Sequence, residues 1–504
     1  MDAGCGTPVD LDAAVDQLAR SFRRALDEPE RATARLDVRT LRERFEEPLP
    51  QNGASPADVL KDLEAKTNGG LAGGTGGRYF GYVTGGVLPA AAIVEAWTAA
   101  VDQNVGMWPL GPAAVVLEQV TLAWLADLLE YPRGSGYFGS GATMANTIGL
   151  ALARHAFGEK HGVDVRDGGV RALPEFAVYG SEELHLSDYK ALRTLGLGAG
   201  CVRRLAIDDS YAMRLDLLER AVAEDRARGV GPLAVIAQAG SVNTGASDPI
   251  EAIADFCERE GIWLHVDGAF GAFFRLCAET RRLAAGIERA DSLAVDAHKW
   301  LNVPNGVGFM LTRHPELHHR TFAGTAAYLT SDEGANLHEL GIEASRSWRG
   351  ACVWAALKEL GRDGVAELVS RCCGLTRRLA DEVRASPRLE LTAPAPSCVC
   401  CFRFRPTGWP EGPELDELNR RIQSELARDG HVFLTGAALR SGFSLRAAIV
   451  SWRTGANDID ALVAGVDELG DALTTNGGRG RLPTTRELRR PSPRSRSGIP
   501  PSAA

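Results

Sequence analysis

Apolar residues recur every three or four positions across 10–26 (Leu11, Val15, Leu18, Phe22), the spacing that gives an α-helix one apolar face. The glycine-rich stretch 68–77 reads as a loop. Two further helical patterns lie within 81–129, on either side of a polar turn at 102–112. The middle of the chain has another rhythm. Short apolar runs at 176–179, 202–205, 233–237, 263–266 and 292–295 predict strands, with amphipathic stretches between several of them. Parallel neighbours need a crossover, so this alternation predicts a mainly parallel sheet covered by helices. After about Tyr328 the character changes. A long helical pattern over 351–384, interrupted at Gly361 or Gly364, precedes a strand at 399–404, a helix at 413–428 and short strands up to Trp452. That predicts a smaller α+β domain ending near Leu473.

Composition fits a globular protein: 504 residues, 45% hydrophobic and 24% charged. The length exceeds one comfortable core, so two or more domains are expected. No run of eighteen apolar residues predicts a membrane span, and residues 1–10 lack the pattern of a secretory signal, so a cytoplasmic protein with no membrane partner is expected. Over 475–504 seven arginines and one glutamate give +6, which leaves −15 on the rest of a chain of net charge −9. An acidic body argues against nucleic acid as partner. The Pro-, Ser- and Arg-rich tail, 474–504, is expected to be disordered, with a weak anionic contact as the alternative. Of ten cysteines, Cys398, Cys400 and Cys401 cluster in an apolar run with no histidine beside them, so core thiols are expected rather than a metal site.

The chemistry-bearing segment is 261–311. One predicted strand ends in Asp267-Gly268-Ala269; another runs into Asp296-Ala297-His298-Lys299-Trp300. Ligands of open parallel sheets bind at the carboxyl ends of strands, so this layout puts a carboxylate and a lysine at one edge. The chain has six lysines and uses arginine freely. A lysine here asks for a primary amine, which forms an imine where a guanidinium cannot. An exposed loop lysine would also fit this segment taken alone. Upstream, 138–146 (Phe-Gly-Ser-Gly-Ala-Thr-Met-Ala-Asn) places small residues before a helix whose N–H groups and dipole favour an anion. Such turns are common, and His185 alone would pass for a loop histidine.

Together these segments, over about 78–452, resemble the group II pyridoxal-phosphate (PLP)-dependent amino-acid decarboxylases, the family of the aromatic-amino-acid and glutamate decarboxylases. The resemblance implies an α/β protein of PLP-dependent transferase fold type I: a mostly parallel seven-stranded sheet in a large domain (78–330), a smaller C-terminal α+β domain (331–473) and an N-terminal helical segment (1–77) that embraces the partner of a homodimer. It implies pyridoxal 5′-phosphate on Lys299 as an imine, Asp267 against the pyridine nitrogen, Ala269 beneath the ring and His185 on its other face. Ala142 and Thr143 hold the phosphate; His298 contacts phosphate or substrate, or only shapes the turn. Arg446 is a candidate for the substrate carboxylate, with a surface ion pair as the alternative. Tyr82 and Trp108 match aromatic pocket positions, whereas Val83 and Gly106 fall where relatives carry other aromatic rings.

Two departures matter. The family's mobile loop carries a tyrosine that helps protonate Cα, and 329–345 has none. His338 could supply that proton, or be a solvent-facing loop residue. Asp296 stands where relatives often have a neutral amide, and its charge beside a phosphate needs a compensating donor. The expected activity is decarboxylation of a small-molecule L-amino acid to its amine and carbon dioxide. The alternatives are decarboxylation with oxidative deamination, as in related aldehyde synthases, and a PLP-binding paralogue without turnover.

Overall fold

Strand and helix alternate through the middle of the chain as the apolar runs require. The computed structural model describes residues 11–324 and 335–475. Three helices, α1 (Leu11–Leu26), α2 (Val38–Phe45) and α3 (Pro56–Thr67), precede the pair α4 (Pro89–Val101) and α5 (Pro112–Leu128). Then follow β1 (Ser135–Gly139), α6 (Ala142–Lys160), β2 (Phe176–Ser181), α7 (Leu186–Thr194), β3 (Val202–Leu205), α8 (Leu215–Ala227), β4 (Gly231–Gln238), α9 (Ile250–Glu260), β5 (Trp263–Asp267), β6 (Ser292–Asp296), the one-turn α10 (Ala297–Trp300), β7 (Gly308–Thr312) and α11 (Pro315–Phe322).

These seven strands form one sheet in the order β1-β7-β6-β5-β4-β2-β3. Six share a direction; β7 opposes both of its neighbours. The reason is local: only 297–307 join β6 to β7, too short a link for a helical crossover. All five strands read from the sequence are present, each within two residues at either end. β1 and β7 are additions. β1 is Ser-Gly-Tyr-Phe-Gly, poor in β-branched residues, and β7 follows β6 after only the one-turn α10, with no crossover helix.

The C-terminal part opens with α12 (Gly350–Ala385), followed by β8 (Leu389–Leu391), β9 (Val399–Phe404), α13 (Pro413–Asp429), β10 (Thr435–Leu439), β11 (Gly442–Ala448) and α14 (Ala456–Thr475). Its four strands make an antiparallel sheet, β10-β11-β9-β8. α12 breaks at Gly361, whose φ of 65° and ψ of 178° lie outside the helical region and suit a residue without Cβ. Cys398, Cys400 and Cys401 are buried free thiols on and beside β9.

A buried ion pair joins the two parts. Arg346 reaches Glu118 of α5 through both guanidinium nitrogens, at 3.0 and 2.6 Å, and Glu118 also accepts from the Gly350 N–H that opens α12. Arg346 lies 4.7 Å from the Tyr137 ring centroid as well. The arginine-rich stretch before α12 is thus structural at Arg346. Arg349 is paired likewise, bidentate with Glu343. Tyr328 and the arginine-rich stretch from 476 onward lie outside the described residues.

Candidate active site

Four segments leave the sheet at its carboxyl edge, and each delivers a polar group. β5 ends on Asp267; β6 runs into α10 and Lys299; β1 leads to the amino end of α6; β2 leads to His185, the cap of α7. Period-two alternation along β5 puts His265 on the same face as Asp267. Register then places Ser292 of β6 opposite His265.

These residues form a chain of hydrogen bonds with one direction. Trp263 Nε1 donates to Ser292 Oγ at 2.9 Å, and Ser292 Oγ lies 2.8 Å from His265 Nδ1. Asn146 donates through Nδ2 to Asp267, so the Oδ1 facing His265 can only accept; Nε2 therefore carries the ring proton, and Nδ1 of the neutral ring accepts from Ser292. Nε2 then donates to Asn146 Oδ1 at 3.0 Å. The Asn146 amide donates onward to Asp267 Oδ2 at 3.1 Å and to Ser187 Oγ at 3.2 Å. Burial pushes His265 down to about 4, so it is neutral, as the chain requires. Asp267 also accepts from the Ala269 N–H at 3.0 Å.

His185 is oriented by the same network. Its Nδ1 accepts from the Ser187 N–H at 3.2 Å and lies 2.7 Å from Ser187 Oγ. The ring therefore carries its proton on Nε2. Burial lowers its pKa, Asp267 works against that, and Lys299, Asp296 and Arg446 also act on it. Half-buried His185 is the point where all four charges are felt.

Lys299 Nζ lies 3.0 Å from Asp296 Oδ2 and 5.5 Å from the Phe270 ring centroid. Its backbone is held by Asn302, whose Nδ2 donates to the carbonyls of Lys299 (3.0 Å), Trp300 (2.9 Å) and Val450 (3.1 Å), while its Oδ1 accepts from Trp452 N–H (2.9 Å). Asp296 Oδ1 accepts from the Ala142 N–H at 2.5 Å, at the amino end of α6. The compensating donors that the extra charge needs are thus Ala142 and Lys299. His298 Nδ1 meets the Val307 carbonyl at 3.1 Å and Asp296 at 3.6 Å, and Thr143 is exposed on the first turn of α6. Gly141 has φ 140°, and a Cβ on Gly308 would fall 2.6 Å from the Gly141 carbonyl carbon, so the cradle depends on two glycines.

Arg446, on β11, is not the surface ion pair that was its alternative reading. It is buried and has no carboxylate partner among the described residues. Nε donates to Val242 O (2.6 Å) and Nη1 to Tyr82 O (2.9 Å) and Thr435 Oγ1 (3.2 Å), which leaves Nη2 buried without a partner. Such an orphan donor suits an anionic ligand. Tyr82 is exposed, with φ 56°, its ring 6.2 Å from Phe433.

His338 and Trp108 come together elsewhere. His338 donates its backbone N–H and Nδ1–H to Gly106 O, both at 2.9 Å, and Trp108 N–H donates to Asn336 Oδ1 at 3.2 Å. His338 Nε2 is buried and unpaired. Among the described residues no hydrogen bond or ion pair links His338 to Lys299, Asp267 or His185.

Sequence reasoning passed over Asn146, His265, Ser292 and Asp188. His265 had a signal, two positions before Asp267 on one strand; Asn146 had one too, a turn beyond Ala142 and Thr143 on the same helix. Ser292 needed the register, and Asp188 the packing of α7.

Residues 39–405 match the model of a family described as the pyridoxal-dependent decarboxylase conserved domain. The chain belongs to this family. Among curated relatives of this decarboxylase, the aromatic-L-amino-acid decarboxylase of Bacillus atrophaeus is 28% identical over 467 residues, 92% of this chain and 95% of that one. The cysteine sulfinic acid decarboxylase of Rattus norvegicus is 30% identical over 351 residues, 68% of this chain and 70% of that one. In fold, the decarboxylase is similar to the crystal structure of an Oryza sativa TDC with PLP and tryptamine, at a TM-score of 0.86 and 22% identity, covering 94% of this chain and 100% of that chain. The family's cofactor is pyridoxal phosphate, and the donor set fits a phosphorylated pyridine aldehyde: a primary amine, a carboxylate and a helix amino end at one sheet edge.

Proposed function

We propose that the protein decarboxylates an L-amino acid to its amine and carbon dioxide, with pyridoxal 5′-phosphate carried on Lys299. One observation carries the reading: β5 ends on Asp267 and its sheet neighbour β6 runs into Lys299 at the same carboxyl edge. When bound, the cofactor supplies the electron sink for the bond to the departing carboxylate. The protein supplies position and charge. Lys299 would hold the aldehyde through its primary amine. Asp267, fixed by Asn146 and Ala269, holds a proton on the ring nitrogen. Ala269 and His185 would hold the ring between them. Ala142, Thr143 and His298 take the phosphate at the amino end of α6. Arg446 Nη2 grips the substrate carboxylate, and Tyr82 lines the pocket.

His338 and Trp108 we assign to a site across a homodimer interface, because within this chain they are tied to Gly106 and Asn336 instead. In support, α1, α4 and α5 expose Leu11, Val15, Leu18, Ile93, Trp97, Val116, Val120 and Trp124, more apolar side chain than a lone chain in water favours. Sedimentation is expected to give the mass of two chains. A large cofactor domain over 78–330, a smaller domain over 331–473 and a cytoplasmic location complete the proposal.

Borohydride reduction of the loaded protein should fix the pyridoxyl group on Lys299. Screening amino acids, with the product identified by mass spectrometry, should yield an amine, and Lys299→Ala should abolish it. An unlabelled Lys299, or full turnover by Lys299→Ala, overturns the proposal. The absence of tyrosine from 329–345 favours one second reading, oxidative deamination to an aldehyde. Amine formed without hydrogen peroxide or ammonia excludes it.

A further inference from the structure

Asp188 stands in the first turn of α7, three residues after the His185 cap. A carboxylate at that place ordinarily accepts free helix N–H groups and gains from the dipole. Here the side chain is fully buried and neither oxygen accepts a hydrogen bond of good geometry; the N–H groups of His185 and of Asp188 itself only partly offset the burial. It faces the carboxyl of Asp267 within hydrogen-bonding range. Two carboxylates in such contact, away from water, cannot both be charged, and acceptor oxygens meet only with a proton between them.

Which of the two keeps the proton follows from their donors. Asp267 receives the Ala269 N–H and the Asn146 amide in well-formed hydrogen bonds; Asp188 has only the weak pull of the His185 N–H and its own. The charge settles where the donors are. Burial pushes the Asp188 carboxyl well up, and the neighbouring Asp267 charge adds to it. The other groups facing this corner do not change the outcome: His265, from β5, and His185, at the head of α7, are both held toward neutrality by burial. The cations Lys299 and Arg446 are engaged elsewhere, at Asp296 and at backbone carbonyls.

We propose that Asp188 is a positioning residue for the cofactor: as a neutral acid it donates its O–H to Asp267, so the two carboxyls hold one proton and one negative charge between them. The consequence rests on Asp267 being the partner of the ring nitrogen. With three donors instead of two, the Asp267 carboxylate is fixed in rotamer and keeps its charge where the ring nitrogen needs it. A second negative charge is kept out of the site.

The test uses the full-length protein, loaded with pyridoxal phosphate and free of it. Infrared difference spectra at pH 7, wild type minus Asp188→Asn, should contain the stretch of a protonated carboxyl in both forms. Its absence, or its persistence in Asp188→Asn, overturns the proposal. Equilibrium binding of pyridoxal phosphate supplies a second readout. Asp188→Asn, which keeps a donor, should bind within a factor of about two of wild type, and Asp188→Leu about tenfold more weakly, the size of one lost hydrogen bond. Equal affinity of the Leu and Asn variants also overturns it. If the Leu variant does not fold, the infrared comparison still decides. Neither readout requires turnover, so failure here leaves the decarboxylation proposal standing, and a protein without turnover would still give the band.

Discussion

Asp296 holds two positions at once, accepting from the Ala142 N–H at 2.5 Å and pairing with Lys299 at 3.0 Å. Its carboxylate thus occupies the helix end that a phosphate would use, and like charges compete for the same donors. Asp296→Asn should bind pyridoxal phosphate about tenfold more tightly, since one displaced charge-assisted hydrogen bond is worth about 1.5 kcal/mol or more. Fluorescence titration of the cofactor-free protein checks this; weaker binding would mean that the charge assists the ligand. The site is legible in the sequence only in part. Lys299 and Asp267 stand out because each ends an apolar run, and the run alone reveals the edge. The relay through Asn146, His265 and Ser292 is not legible, because it depends on strand register and on which helix face meets the sheet. Arg446 was visible as a residue type, but its burial and its free nitrogen come from β11 pairing with its neighbours.

Among the elements, α5 and the start of α12 depend on one ion pair, Arg346 with Glu118, both side chains almost without solvent contact. Removing one member leaves a buried charge unpaired. Glu118→Gln should therefore cost about 3–5 kcal/mol of unfolding free energy, and Glu118→Gln with Arg346→Met should recover much of it. Urea unfolding of the single and double variants measures both. The five strands that alternate with helices were readable from their β-branched and aromatic content. β1 and β7 were not: one is built on two glycines, and the other returns through a short link that holds only the one-turn α10. Gly361 breaks α12; nothing in the spacing chooses it over Gly364, which stays helical.

For the whole molecule, acid is the expected weakness. Burial holds His265 and His318 down to about 4. Each folded value lies below the unfolded one, near 6.5, so the stability each contributes is complete above about pH 6.5 and is lost as pH falls toward 4. The loss is on the order of 3 kcal/mol per histidine. Asp248 acts in the opposite sense, since burial raises it to about 6 and its contribution fades as pH rises through that value. Burial also lowers His155 and His185, and raises Asp188 as it does Asp248; four histidines against two aspartates leave a net decline, so denaturant midpoints should fall between pH 6.5 and 4.5. A midpoint independent of pH across that interval would contradict the buried neutral imidazoles. Asn302 has a different consequence. One amide is fastened to the carbonyls of Lys299 and Val450 together, so a rotation of the C-terminal layer must turn about the very peptide that carries the amine. The anchor would be the fulcrum of any such rotation.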